Sequence, residues 1–402
     1  MLKNRNFVWN TIGTTFNSFL SLFLLIVVTR INGIDISGKF SFAFALTLML
    51  QSISNYGGRI YQISDIKNEF SFNEYLGSRI KASAISIILM IILIFILNLD
   101  VTEIKITIFL MVLRIIETFS DVFYASFQRN NHLDYVGISL TIKSCIIIGL
   151  FTLVDLLTKN VQIASIACVI AAFLSFIFYD LVKIKKYEKL KISYNDKIYS
   201  KSIYIFLFSF VTYLLLNVPR FVANFTLDDN EIGYLGILMM IPTVMALICQ
   251  FIIQPVLIDL TKNYHKKEIV KFREILRKSI FILISFSIIC SFLAVTLGPT
   301  VLKILYGLDF DNYKLIFLIL ILAGLFNGLT TIFSNVLTIM RKTKCQFITY
   351  IFSLILNIAF GFIGASLYDL KGIFTGLMLA MVLQFIMFLL LYFKNEKIEF
   401  KV

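Results

Sequence analysis

Three charged residues, Arg114, Glu117 and Asp121, stand inside an otherwise apolar stretch. Their spacing of i, i+3 and i+7 puts all three on one helical face, and Gln128 continues that face. Lys143 lies in the next apolar stretch, and Arg220 in a later one, directly after Pro219. Charges in such surroundings are costly unless they face one another or water. A guanidinium offers a planar fork that fits a phosphate, and an ammonium adds a point charge. The three cations outnumber the two carboxylates, which favours an anionic ligand. The same residues admit a structural reading, in which Glu117 pairs with Arg114 or Lys143 and locks two helices together. In a third reading Glu117 or Asp121 titrates and couples the protein to an ion gradient. Residue types and spacing leave all three open.

A second polar set lies near the N-terminus, where Asn10, Thr14 and Asn17 form one helical stripe facing either a neighbouring helix or a hydrated path. Other chemistries lack their residues. There is no P-loop, GxGxxG, HExxH or paired CxxC, and His132 and His265 cannot form a metal site alone. The five cysteines have no metal-ligand spacing and read as small buried apolar side chains. No cofactor, metal or enzymatic activity is expected.

The elements that must hold these groups follow from composition. Of 402 residues, 59% are hydrophobic and 15% charged, with a mean hydropathy of +0.88. A soluble domain of this length could not cover that much apolar surface, whereas a bilayer permits it. Apolar stretches of spanning length recur near 7–29, 40–57, 79–99, 105–127, 135–155, 161–181, 202–224, 232–257, 279–299, 314–339, 346–367 and 372–393. The expected fold is therefore an all-α integral membrane protein of about twelve transmembrane helices. The first stretch is too long for a signal-peptide core and counts as a span. At the helical rise, Glu117 lies roughly 15 Å and Lys143 roughly 12 Å from the same face of the membrane, so they can pair if their helices are neighbours.

Alternate connections hold 27 of the 37 lysines and arginines, the other connections seven and the spans three. The basic set includes Lys3, Lys67, Arg79, Lys397 and Lys401. Positive charge marks the cytoplasmic side, which places both termini there. The net charge of +13 then reports this asymmetry, and no nucleic-acid partner is expected. The basic connection from Lys183 to Lys201 divides the spans into an N-terminal lobe, 1–190 with helices 1–6, and a C-terminal lobe, 191–402 with helices 7–12. An even number of spans per half makes the halves a parallel pseudo-repeat. The pairs Gly324/Gly328 and Gly372/Gly376 should allow close helix contacts.

Several runs carry a family resemblance: Asn10 to Gly13, Arg30 to Gly33, Gly38 to Ala45, Asn55 to Asp65, Ser120 to Tyr124 and Gln128 to Gly137. Over essentially the whole chain the sequence resembles polysaccharide flippases of the Wzx type. The resemblance implies the fold of the multidrug/oligosaccharidyl-lipid/polysaccharide exporter superfamily, with two six-helix lobes around a central cationic cavity, in a bacterial cytoplasmic (inner) membrane. It implies transfer of an undecaprenyl-pyrophosphate-linked oligosaccharide, such as an O-antigen repeat unit, from the inner to the outer leaflet by alternating access. Arg30, Arg59, Arg114, Lys143 and Arg220 are the positions matched to phosphate or sugar contacts. Proton or sodium coupling and contact with other polysaccharide-assembly membrane proteins are further expectations. A drug/cation antiporter of the same superfamily would favour a carboxylate in the first span, which this chain lacks. A polysaccharide polymerase or glycosyltransferase would need a sizeable outer loop with catalytic acids. The connections here are short, although Asp35, Asp309 and Asp311 lie in or beside them.

Overall fold

A computed structural model describes residues 2–65 and 68–400. Lys67 and Lys401 lie outside the described residues, as do the side chains of Lys3 and Lys397. Among the described residues the chain is helical, with no strand. The helices are α1 (Leu2–Asn32), α2 (Ile34–Asn55), α3 (Gly58–Ser64), α4 (Phe72–Ile96), α5 (Val101–Arg129), α6 (Leu133–Thr158) and α7 (Val161–Ile184). They continue with α8 (Lys197–Thr226), α9 (Asp229–Leu238), α10 (Met240–His265), α11 (Ile269–Thr296), α12 (Gly298–Tyr306), α13 (Lys314–Ile339) and α14 (Thr343–Phe400).

Ten segments of the described residues are long and apolar enough to cross a membrane. Helix α5 has the length but carries Arg114, Glu117 and Asp121 within its apolar run. Helix α14 holds two spans, separated by non-helical backbone at Tyr368 and Asp369. Counting α5 and both limbs of α14 gives the twelve spans of a multi-pass membrane protein. Their outward faces are apolar: α4 exposes Ile85, Ile88, Ile92 and Phe95, and α11 exposes Phe281, Ile288, Ile289 and Phe292. Within a bilayer no backbone group can be left unbonded, and α-helices meet nearly all of that requirement internally.

Local chemistry sets many helix ends. Ser71 with Glu74, and Asp100 with Glu103, form capping boxes that open α4 and α5. Asn160 caps α7 and Asp228 caps α9. Gly33, at φ +89°, turns the chain from α1 into α2.

The chain divides into two compact units, Met1–Tyr213 and Leu214–Val402. The division falls within α8, beyond the basic connection. In the first unit α1 crosses α6 with backbones touching: a β-carbon on Gly13 would lie 2.2 Å from the Gly137 carbonyl oxygen. These glycines sit in two of the runs that carry the family resemblance. In the second unit, Gly364 and Gly372 meet as closely, 1.8 Å by the same measure. Gly324 packs on Met245, Gly328 on Cys249, and Gly376 on the backbone at Phe360. Of the cysteines, Cys168 and Cys249 are buried as read, whereas Cys145 and Cys345 are exposed. The reading of all five as buried therefore fails at those two positions.

Pro219 lies inside α8 and lacks the N–H that would bond the Leu215 carbonyl. Asn357 Nδ2 donates to that carbonyl at 2.7 Å, so the second unit satisfies the group the proline leaves open.

Candidate functional site

Helix α5 is packed against α2, α4, α6 and α7, which explains how a helix with mid-span charges is tolerated. Arg114 and Glu117 are 4% and 8% exposed, and Lys143 on α6 is 3% exposed. Arg114 Nη1 donates to Glu117 Oε2 at 2.7 Å, and Lys143 Nζ lies 3.2 Å from Glu117 Oε1. Gln51 Nε2 on α2 also donates to Glu117 Oε2, at 3.3 Å. The Arg114 guanidinium lies over the Phe44 ring, 4.3 Å from its centroid. Its Nε and Nη2 are buried without a hydrogen-bond partner. One carboxylate thus serves two cations and a primary amide, and part of the arginine fork remains unused. The pairing left open by the sequence is made with Arg114 and Lys143 together.

A second group, around Asp180, lies beside this cluster. The Phe176–Leu181 turn of α7 is π-helical and carries Asp180, 1% exposed. Asp180 Oδ2 accepts from Ser120 Oγ at 2.8 Å and weakly from Tyr124 OH at 3.5 Å, and Oδ1 accepts from Ser139 Oγ at 2.6 Å. Tyr124 OH and Ser139 Oγ are themselves 2.7 Å apart. Lys143, one turn beyond Ser139 on α6, acts electrostatically on Asp180.

A third group gathers around α3. Tyr56, Gly57 and Gly58 all have positive φ and turn the chain out of α2. Tyr56 is held there by stacking on Phe206, at 4.4 Å between centroids, and by an edge contact with Tyr199. Arg59 follows, and its Nε and Nη2 donate to Gln128 Oε1 at 2.9 and 2.5 Å. Asp121 has Arg79 and Arg59 as electrostatic neighbours and sits against Gly58, whose β-carbon would be 3.8 Å from Asp121 Oδ2. Arg79 is 1% exposed within α4. The sequence assigned it to a connection, but α4 begins at Phe72, a full two turns earlier than the apolar stretch suggested.

The predicted residues therefore fall into separate places. Arg114, Glu117 and Lys143 come together, and Arg59, Asp121 and Gln128 form a neighbouring group. Arg30 is exposed in the last turn of α1. Arg220 belongs to the second unit, where its Nη1 donates to Asn217 Oδ1 at 2.7 Å. In the Asn10–Thr14–Asn17 stripe, Thr14 and Asn17 are exposed and Asn10 is half-buried. Thr14 Oγ1 returns its hydrogen bond to the Asn10 carbonyl, and Gly13 makes the contact with α6.

Sequence reasoning missed Arg79, Asp180 and the fully buried Asp155, which accepts from Asn32 Nδ2 at 2.7 Å. Asp180 ends its apolar stretch and so read as a boundary. The hydroxyls of Ser120 and Tyr124, four residues apart on the charged face of α5, were the available signal for a partner there.

The sequence pattern of the family described as polysaccharide biosynthesis protein matches residues 4–261. The capsular polysaccharide biosynthesis protein CapF of Staphylococcus aureus is 25% identical over 382 residues, covering 91% of this chain and 95% of that protein. Two solved structures share the fold. An inward-facing multidrug resistance MATE family transporter of the MOP superfamily superposes with a TM-score of 0.73 at 13% identity, covering 98% of this chain and 99% of that one. The lipid II flippase MurJ, in an inward closed conformation, gives 0.73 at 17% identity, covering 95% and 87%.

Proposed function

The chain belongs to the polysaccharide biosynthesis protein family, and on that premise we propose that it is a flippase for an undecaprenyl-pyrophosphate-linked oligosaccharide. It moves the head group from the cytoplasmic to the outer leaflet of a bacterial inner membrane by alternating access, with both termini cytoplasmic. The observation that carries this reading is the buried Arg114, held by Glu117 with two guanidinium nitrogens unused. A pyrophosphate and its sugars are too polar to cross hydrocarbon unaided, whereas the prenyl tail can stay in lipid. The protein need supply only polar and cationic contacts for the head group. Arg114 offers the remaining fork to a phosphate oxygen, and Lys143 adds charge beside it. Arg59, Arg30 and Arg220 are assigned to further phosphate or sugar contacts, and Asn10, Thr14 and Asn17 to contacts with sugar hydroxyls. The capsular polysaccharide biosynthesis protein CapF and the lipid II flippase MurJ, to which the chain is similar, support this substrate class.

The test is expression in a bacterium lacking its own surface-polysaccharide flippase, across several sugar pathways, with a blot for surface glycan. Restored glycan that is lost in Arg114→Ala at normal membrane levels supports the reading. Absence of rescue in every pathway, together with lowered drug accumulation in the same cells, replaces it with the antiporter.

A further inference from the structure

We propose that Asp180 is a proton-binding site, placed by the π-helical turn of α7 within a ring of hydroxyls from α5 and α6. The case rests on which partners each buried carboxylate has. Glu117 is held by two obligatory donors, a guanidinium and an ammonium, with an amide NH2 beside them. Neither cation can accept a hydrogen bond, so a proton on Glu117 would weaken both ion pairs. Asp180 is the opposite case. Its partners Ser120, Ser139 and Tyr124 are all hydroxyls, which donate to a carboxylate and, by rotation, accept from a carboxylic acid. The site is satisfied in both protonation states, and the link between Tyr124 and Ser139 lets the hydrogens reorient together.

The surrounding charges give the proton a consequence. The charged and titratable groups near Asp180 are Lys143 from α6, Tyr124 from α5 and Tyr179 beside it on α7, with Glu117 beyond Lys143. With Asp180 ionised, Arg114 and Lys143 are balanced by Glu117 and Asp180. One proton arriving from solvent and forming the O–H bond on Asp180 leaves that group with one net positive charge. An anion and a proton then favour each other's binding, and by linkage each strengthens the other equally. This second step rests on the proposed phosphate site, whereas the proton site stands without it.

The experiment is infrared difference spectroscopy of the purified protein in lipid, titrated from mildly acid to mildly alkaline pH. A protonated-carboxyl C=O band that titrates in the unmodified protein and is absent from Asp180→Asn is the expected result. No titrating band, or a band unchanged in Asp180→Asn, overturns the proposal. If Asp180→Asn does not fold, Ser139→Ala decides: a displaced midpoint supports the site and an unmoved one overturns it. Adding inorganic pyrophosphate extends the protonated band to higher pH if the phosphate site is also right. A band that titrates at Asp180 but ignores pyrophosphate upholds the proton site and removes the phosphate assignment alone.

Discussion

The two units differ in what they bury. Among the described residues, the first buries Arg79, Arg114, Glu117, Asp134, Lys143, Asp155 and Asp180, whereas Glu396 is the buried charge of the second. The second unit buries amides and hydroxyls instead, such as Asn217, Gln346, Asn357 and Gln384. Its central polar device is neutral, with Asn357 completing the carbonyl that Pro219 leaves open. Glu396 lies near the end of α14, where Arg273 and Tyr392 hold it. Buried charge is expensive in a bilayer, so its concentration in the first unit is the main physical difference between the two. The second unit keeps Arg220 half-buried beside Asn217 and mostly buries neutral polar groups.

The largest effect should come from breaking the charge cluster. Glu117→Leu leaves Arg114 and Lys143 buried without their shared carboxylate, a loss of about 3–5 kcal/mol. Thermal unfolding in detergent should show it as a strong fall in midpoint. A protein that melts normally would mean the ionic contacts of the first unit are dispensable and the contrast is empty.

Next is the backbone crossing of α1 and α6. Gly137→Ala places a β-carbon 2.0 Å from the Trp9 carbonyl oxygen, and overpacking of this kind costs about 1–3 kcal/mol. Gly149→Ala, with no atom beyond its own helix backbone within 4 Å of the new carbon, should leave the midpoint unchanged or slightly raised. The second unit is probed by Asn357→Leu, which strands the Leu215 carbonyl and should destabilise by about 1–3 kcal/mol. Restoring the backbone donor with Pro219→Ala should recover part of that loss. A simple sum of the two single effects would deny that Asn357 completes the proline site.

The smallest effect concerns Asp65, in the connection between α3 and α4. Burial raises its carboxyl pKa, but the N–H groups of Glu69 and Phe70, the Tyr75 hydroxyl and the Arg129 charge outweigh that and hold it below the usual value. A carboxyl depressed in the folded protein contributes stability above its unfolded pKa and loses it as pH falls through the folded one. Asp65→Asn should therefore flatten a shallow loss of melting temperature on the acid side. An identical acid profile would show that this loop does not contribute.

Much of this contrast was legible in the sequence. Twelve apolar stretches gave twelve spans, because spanning length is a local property of composition. The face shared by Arg114, Glu117 and Asp121 followed from the helical period, and the depth of Lys143 made a pair with Glu117 available. Helix starts were less legible. Arg79 was set in a connection because polar residues open α4, and only the Ser71 capping box places its beginning.

By itself the sequence determined that the chain is a membrane-embedded set of helices with charges on the face of the fourth span. Hydrophobicity and helical period are properties of neighbours along the chain. Only the tertiary structure decided that one glutamate serves two cations, that Asp121 lies with Arg59 and Arg79, and that Asp180 is ringed by hydroxyls. Those outcomes depend on which helices touch and how each is rotated. One wide turn in α7 and two glycines at the α1–α6 crossing bear on both, and residue types alone do not say which helices those glycines join.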